Sequence, residues 1–151
     1  MKKIKDAYLK IYSLLAFGLA VIGILLLLYE NNIFSTNSIG FSIQICMIIL
    51  MIWARITFGI RSFHASANTT KGELVTTGPY RYLRHPIYAA VIYFVWAGII
   101  FQPNYKLIAA VLCVSIGLII RMIIEEIFLM KSYANYEAYT ERTVRLIPFL
   151  F

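Results

Sequence analysis

Four apolar runs dominate this chain, and runs of such length leave it few ways to fold. The first, residues 11–29, carries no charge, and at about 1.5 Å per residue it just spans roughly 30 Å of hydrocarbon. The second, residues 39–60, is interrupted only by Arg55, close enough to its end for the guanidinium to snorkel to the interface. Shorter runs at 87–101 and 107–120 flank Gln102-Pro103-Asn104, a turn sequence, and read as a helical hairpin. Lipid offers no water to backbone N–H and C=O groups, so such runs must satisfy them internally, as helices.

Composition excludes the soluble alternative. With 61% hydrophobic and 14% charged residues over 151 positions, a water-soluble core of this size cannot hide the apolar sequence. The net charge of +7 would suit a nucleic-acid partner, but most lysines and arginines flank the apolar runs, the distribution that orients membrane proteins. No nucleic-acid role is expected. Cys46 and Cys113 lie inside apolar runs, and His64 and His85 neighbour neither of them, so no metal site is expected.

The expected fold is all-α: a polytopic integral membrane protein of about four transmembrane helices plus a C-terminal amphipathic cytoplasmic helix. That last helix is drawn from residues 128–145, where Tyr133, Tyr136 and Tyr139 recur every three positions. One domain, residues 1–151, divides into an N-terminal helical pair (1–61) and a half carrying the chemistry (62–151). Lys2, Lys3, Lys5 and Lys10 precede the first run, but Glu30-Asn31-Asn32 follows it in place of a cleavage site, so the run reads as an anchor. In a four-span arrangement most basic residues share one side, which predicts that both termini are cytoplasmic. Ala16 and Ala20 form a small-xxx-small pair suited to close helix approach. The sequon Asn68-Thr69-Thr70 reads as loop polarity.

Two polar segments stand out. Between the second and third runs lies GELVTTGPYRYLRHPIY, residues 72–88. Gly78 and Pro79 fix a turn, and Pro86 can open the third helix because a proline needs no N–H partner in the first turn. As an interfacial belt, Tyr80, Tyr82 and Tyr88 would anchor at headgroup level while Arg81 and Arg84 bind lipid phosphate. The second segment begins at Arg121 and includes Glu125 and Glu126, directly on an apolar helix. Charged side chains in a span cost roughly 2.5–3.5 kcal/mol at its centre, so those bordering one face a cavity or a partner. Arg121 and Glu125 are four apart and share a face, with Glu126 turned by about 100°. An intrahelical ion pair is the simpler reading of the same spacing.

Leu74-Val75, Gly78-Pro79-Tyr80, Arg84-His85-Pro86-Ile87-Tyr88, then Arg121, Glu125-Glu126 and the stretch from Tyr136 to Pro148 resemble the isoprenylcysteine carboxyl methyltransferase family, whose relatives are the phospholipid methyltransferases. The resemblance covers roughly residues 72–148; the first two runs match only in character. It implies S-adenosyl-L-methionine as cofactor, held by Gly72, Glu73, Leu74, Val75, Tyr80, His85, Pro86, Ile87, Tyr88 and Glu125. It also implies a catalytic group of Arg121, orienting the substrate, with Glu125 and Glu126. The acceptor would be a lipidic or apolar molecule reached from the bilayer, most simply a prenylcysteine-type carboxylate. Phospholipid amine or small thiol methylation is the alternative, and an NADPH-dependent membrane reductase shares a similar His-Pro-Tyr segment. One departure is Ala90, where the family usually has glycine two residues after the motif tyrosine.

Overall fold

The computed structural model describes residues 2–59 and 74–146. These form five α-helices: α1 (Lys2–Tyr29), α2 (Ser38–Phe58), α3 (Pro86–Ile99), α4 (Tyr105–Ser132) and α5 (Tyr136–Thr140). No strand occurs among the described residues; one isolated parallel bridge joins Leu83 to Val144. The protein is an all-α membrane protein. α1 from Ile4 onward, α2 and α4 are each long and apolar enough to cross a bilayer. With 14 residues, α3 is only about 21 Å long at 1.5 Å per residue.

Residue chemistry sets the helix ends. Asn37 and Asn104 cap α2 and α4, each side-chain oxygen accepting two backbone N–H groups of the first turn. The turn at Gln102-Pro103-Asn104 lies where expected, between α3 and α4. The apolar run ending at residue 120 understates α4, which continues as one helix to Ser132. Consequently the start of α3 is level with residues near Glu126, about 9 Å short of the end of α4 at 1.5 Å per residue.

The expected C-terminal amphipathic helix over 128–145 is replaced by the end of α4, the five-residue α5 and an extended segment. The tyrosine spacing persists, but Val144 and Arg145 leave helical geometry to pair with residues 82–85.

In space the helices run in the order α1, α4, α3, α2, with α1 along α4 and α2 along α3. Each of the first two helices therefore lies mainly on a partner from the second half of the chain. Apolar side chains are equally at home in lipid, so association depends on close packing and internal hydrogen bonds. α1 and α4 supply both. A Cβ on Gly117 would collide with the carbonyl oxygen of Ala16 and sit 3.1 Å from Ala20, and one on Gly23 would lie 2.5 Å from the Ala110 carbonyl oxygen. The Ala16 and Ala20 pair is thus the place where another helix approaches. Ion pairs of Asp6 with Lys131 at 2.6 Å and Glu30 with Lys106 at 3.4 Å fix the antiparallel register at either end. On the other side Gln44, 1% exposed, accepts from the Ser35 amide and donates to the carbonyls of Ile33 and Phe94.

Gly117→Ala is expected to lower stability by about 1–3 kcal/mol, because the added methyl meets backbone that cannot step aside. Gly18→Ala, with nothing within 4 Å of its Cβ position, should change little. Thermal unfolding of both variants in detergent, followed by circular dichroism, checks the difference.

Candidate active site

The segment before α3 is held from three directions. Gly78, at φ +58°, turns the chain where a Cβ would sit 2.6 Å from Thr57 Oγ1, so glycine lets the turn rest on the end of α2. Pro79 follows in a 3₁₀ turn, and the buried Tyr80 ring packs 5.4 Å from that of Phe58. The Tyr139 phenol donates to the Tyr80 carbonyl at 2.6 Å. Burial pushes that phenol up to about 12, so it remains a donor throughout the physiological range. Beyond the turn, Val144 donates to Tyr82, Arg84 to Val144 and His85 to Arg145, all through backbone amides. Pro86 then opens α3 as expected, with His85 at its N-cap.

This clip converges on Glu126. The carboxylate, 5% exposed, lies 3.1 Å from Arg84 Nε, 3.3 Å from His85 Nε2 and 2.9 Å from Arg145 Nε. Arg84 also donates through Nη1 to the carbonyls of Thr140 and Thr143. Three basic groups from two remote segments thus surround one acid. Buried charges persist only when paired in this way.

One residue away, Glu125 serves a second group. It is half-buried and accepts from the Tyr88 phenol at 2.6 Å. Arg121 Nε donates to the same phenol oxygen at 2.9 Å. Arg121, 5% exposed, also reaches Ser13 Oγ at 3.4 Å and places its Cζ 5.2 Å from the Phe17 ring centroid. The shared helix face expected for Arg121 and Glu125 is therefore bridged by a tyrosine of α3. The Tyr88 ring stacks on His85 at 5.5 Å, joining the two groups. Arg121 lies about 22 Å along α4 from Lys106 at 1.5 Å per residue, within a helix long and apolar enough to cross a bilayer.

Beside the end of α4 a cleft of about 490 Å³ is lined by Leu74, Thr76, Ser132, Asn135, Tyr139 and Arg142 among others. Tyr136, 1% exposed, has no hydrogen-bond partner for its phenol among the described residues; burial pushes the pKa of that phenol well above its ordinary value, so it too is a protonated donor.

Of the residues singled out from sequence, Tyr88, Arg121 and Glu125 come together, as do His85 and Glu126. Pro86 is buried, Ile87 and Val75 are half-buried, and Leu74 lines the cleft. Gly72, Glu73, the sequon at Asn68 and residues 147–151 lie outside the described residues. Ala90 is 1% exposed. Among the described residues no group of acids, histidines and cysteines could hold a metal ion. Sequence reasoning passed over Arg145, Tyr139, Ser13, Phe17 and the cleft residues of 132–142 as partners in the site. From sequence, Arg84 reads as a motif residue and a lipid-phosphate ligand, not as a partner of Glu126. Their partners lie far away in sequence, where no spacing rule applies.

A family model described as phospholipid methyltransferase matches residues 35–136. The match takes in α2 through the start of α5, beginning well before the quoted motifs and leaving out α1 and the segment that pairs with residues 82–85. No significant match was found among curated proteins or among solved structures.

Proposed function

This chain belongs to the phospholipid methyltransferase family, and from that premise we propose that it transfers a methyl group from S-adenosyl-L-methionine to a lipid-borne acceptor entering from the bilayer. The observation that carries this reading is Arg121, buried within an apolar helix and bonded to the Tyr88 phenol, which in turn donates to Glu125. A guanidinium at that depth suits an acceptor with an anionic group on an apolar chain. Among such acceptors a prenylcysteine-type carboxylate leads, because it is already ionised at neutral pH and needs no general base. The second reading, methylation of a phospholipid amine, is favoured by the family match itself. An amine must shed a proton, and Glu125 is the acceptor within reach.

Residues of the chain fit the cofactor. Glu125 offers a carboxylate to its sulfonium or ammonium group, the Tyr136 phenol, without a hydrogen-bond partner among the described residues, offers a buried donor, and Leu74 of the proposed set lines the cleft beside the end of α4. The proposed cofactor set is Leu74, Val75, Tyr80, His85, Pro86, Ile87, Tyr88 and Glu125, with Gly72 and Glu73 outside the described residues. His85 Nε2 is directed at Glu126, so its share in binding falls to the ring and to the amide end of α3. When bound, the cofactor supplies an electrophilic methyl on sulfur. Tyr88 holds Glu125 and Arg121 in fixed relation, and Arg121 aligns the acceptor for in-line displacement. Glu126, enclosed by Arg84, His85 and Arg145, serves the reaction by positioning the start of α3. The basic residues flanking the spans favour a cytoplasmic site and cytoplasmic termini.

Calorimetry on the purified protein should detect S-adenosyl-L-methionine and not NADPH. Labelled cofactor offered with a prenylcysteine, phosphatidylethanolamine or a small thiol should label the prenylcysteine fastest, as an alkali-labile ester. Arg121→Lys keeps the charge but loses the planar fork, so turnover should fall about tenfold or more with cofactor affinity retained. Labelling of phosphatidylethanolamine alone would transfer the proposal to the amine reading, and binding of NADPH alone would end it.

A further inference from the structure

α1 lies outside the matched residues 35–136, yet two of its side chains touch Arg121. Ser13 is a lone serine in an otherwise small and apolar stripe with Ala16 and Ala20, and it is 0% exposed. Its hydroxyl lies 3.4 Å from Arg121 Nη1. One turn further on, the Phe17 ring lies under the guanidinium, 5.2 Å from Cζ, the distance of a cation–π contact. From the opposite side Tyr88 of α3 receives the Nε–H at 2.9 Å. The guanidinium is thereby held between α1 and α3 above its own helix.

We infer that α1 belongs to the acceptor site, with Phe17 and Ser13 as positioning residues that set the plane in which Arg121 meets the acceptor's anionic group. This rests on the reading of Arg121 as the acceptor-orienting residue. A guanidinium recognises a carboxylate or phosphate through a planar fork, so its tilt decides whether two parallel hydrogen bonds form or one. The Nε contact with Tyr88 fixes one edge of that plane. It leaves rotation about that edge open, and a ring face beneath the group limits that rotation. The ring also keeps an acyl chain from packing against the cation. Close packing of Gly117 against Ala16 and Ala20 brings α1 near enough for these contacts, so the small-residue seam and the acceptor site are parts of one arrangement. Phe17 remains 37% exposed, and its replacement opens no buried cavity.

The experiment uses the full chain in lipid nanodiscs, with the acceptor that labels best. Phe17→Leu removes the ring face and keeps an apolar side chain; Phe17→Trp keeps a ring face. Acceptor KM and kcat are measured at saturating cofactor, together with cofactor Kd by calorimetry, and Arg121→Lys is run in parallel. Phe17→Leu should raise acceptor KM or lower kcat about three- to tenfold, the range of a partly desolvated cation–π contact, with cofactor Kd unchanged. Phe17→Trp should stay within about twofold of the parent, and Ser13→Ala should show a smaller loss in the same direction. Parent-like kinetics in Phe17→Leu alongside an impaired Arg121→Lys would overturn the inference and leave the function of Arg121 standing. Equal losses in Phe17→Leu and Phe17→Trp, or a parallel loss of cofactor affinity, would also overturn it. Parent-like turnover in Arg121→Lys would remove the acceptor-orienting reading and the inference with it.

Discussion

Glu126→Ala is expected to lower stability by about 3–5 kcal/mol, the range for removing one partner from a buried charge cluster. Its carboxylate faces Arg84, His85 and Arg145, the first two with side chains 10% and 4% exposed. Without the acid the two guanidinium groups and the imidazole lose their shared partner, and backbone carbonyls are left to meet Arg84. Arg145, a third exposed, regains water and loses less. The clip between residues 82–85 and 144–145 should open with them. Unfolding in detergent measures the loss, and faster amide exchange at Arg84, His85 and Val144 locates it. A loss below about 1 kcal/mol would mean that hydrogen bonds to the backbone already hold the segment, and that the ion cluster adds little to it.

Its neighbour should behave in the opposite way. Glu125→Gln is expected to leave unfolding within about 1 kcal/mol of the parent, because the amide oxygen can still accept from Tyr88. Cofactor affinity should nevertheless fall about ten- to a hundredfold, as for a charge-assisted contact worth roughly 1.5–3 kcal/mol. Calorimetry with S-adenosyl-L-methionine on both variants tests the contrast. Unchanged affinity in a well-folded Glu125→Gln would return Glu125 to a hydrogen-bond partner of Tyr88 and nothing more.

That Glu126 and not Glu125 meets Arg84, His85 and Arg145 was not legible in the sequence, which places both acids in one catalytic group and Glu125 also in the cofactor set. A rotation of about 100° between adjacent helical positions was visible. Which rotation meets three basic side chains depends on residues 84, 85 and 145, brought together by the fold. Local chemistry was easier to read. Pro86 announced the start of α3, Gly78-Pro79 and Gln102-Pro103-Asn104 announced turns, and Ala16 with Ala20 marked the close approach that Gly117 completes. Partner choice among helices was not readable, because every run is about equally apolar and hydropathy carries no address. The C-terminal helix failed for a related reason. Tyr136 and Tyr139 keep helical spacing within α5, but the Tyr139 phenol and the amide of Val144 are bound to residues 80 and 82, and a long-range contact outcompetes local periodicity there.

The clip also sets an order of events. Helices enter the bilayer as they are synthesised and associate afterwards, and α1 to α3 are complete well before residue 144 exists. Leu83 and Val144 are separated by most of the second half of the chain. At about 5–20 residues per second, synthesis of the intervening stretch takes roughly 3–12 s. During that interval the nascent chain is anchored but chemically unfinished. Integration and maturation are therefore separate steps, and a ribosome stalled before residue 144 would leave a membrane-inserted species whose motif awaits its closing segment.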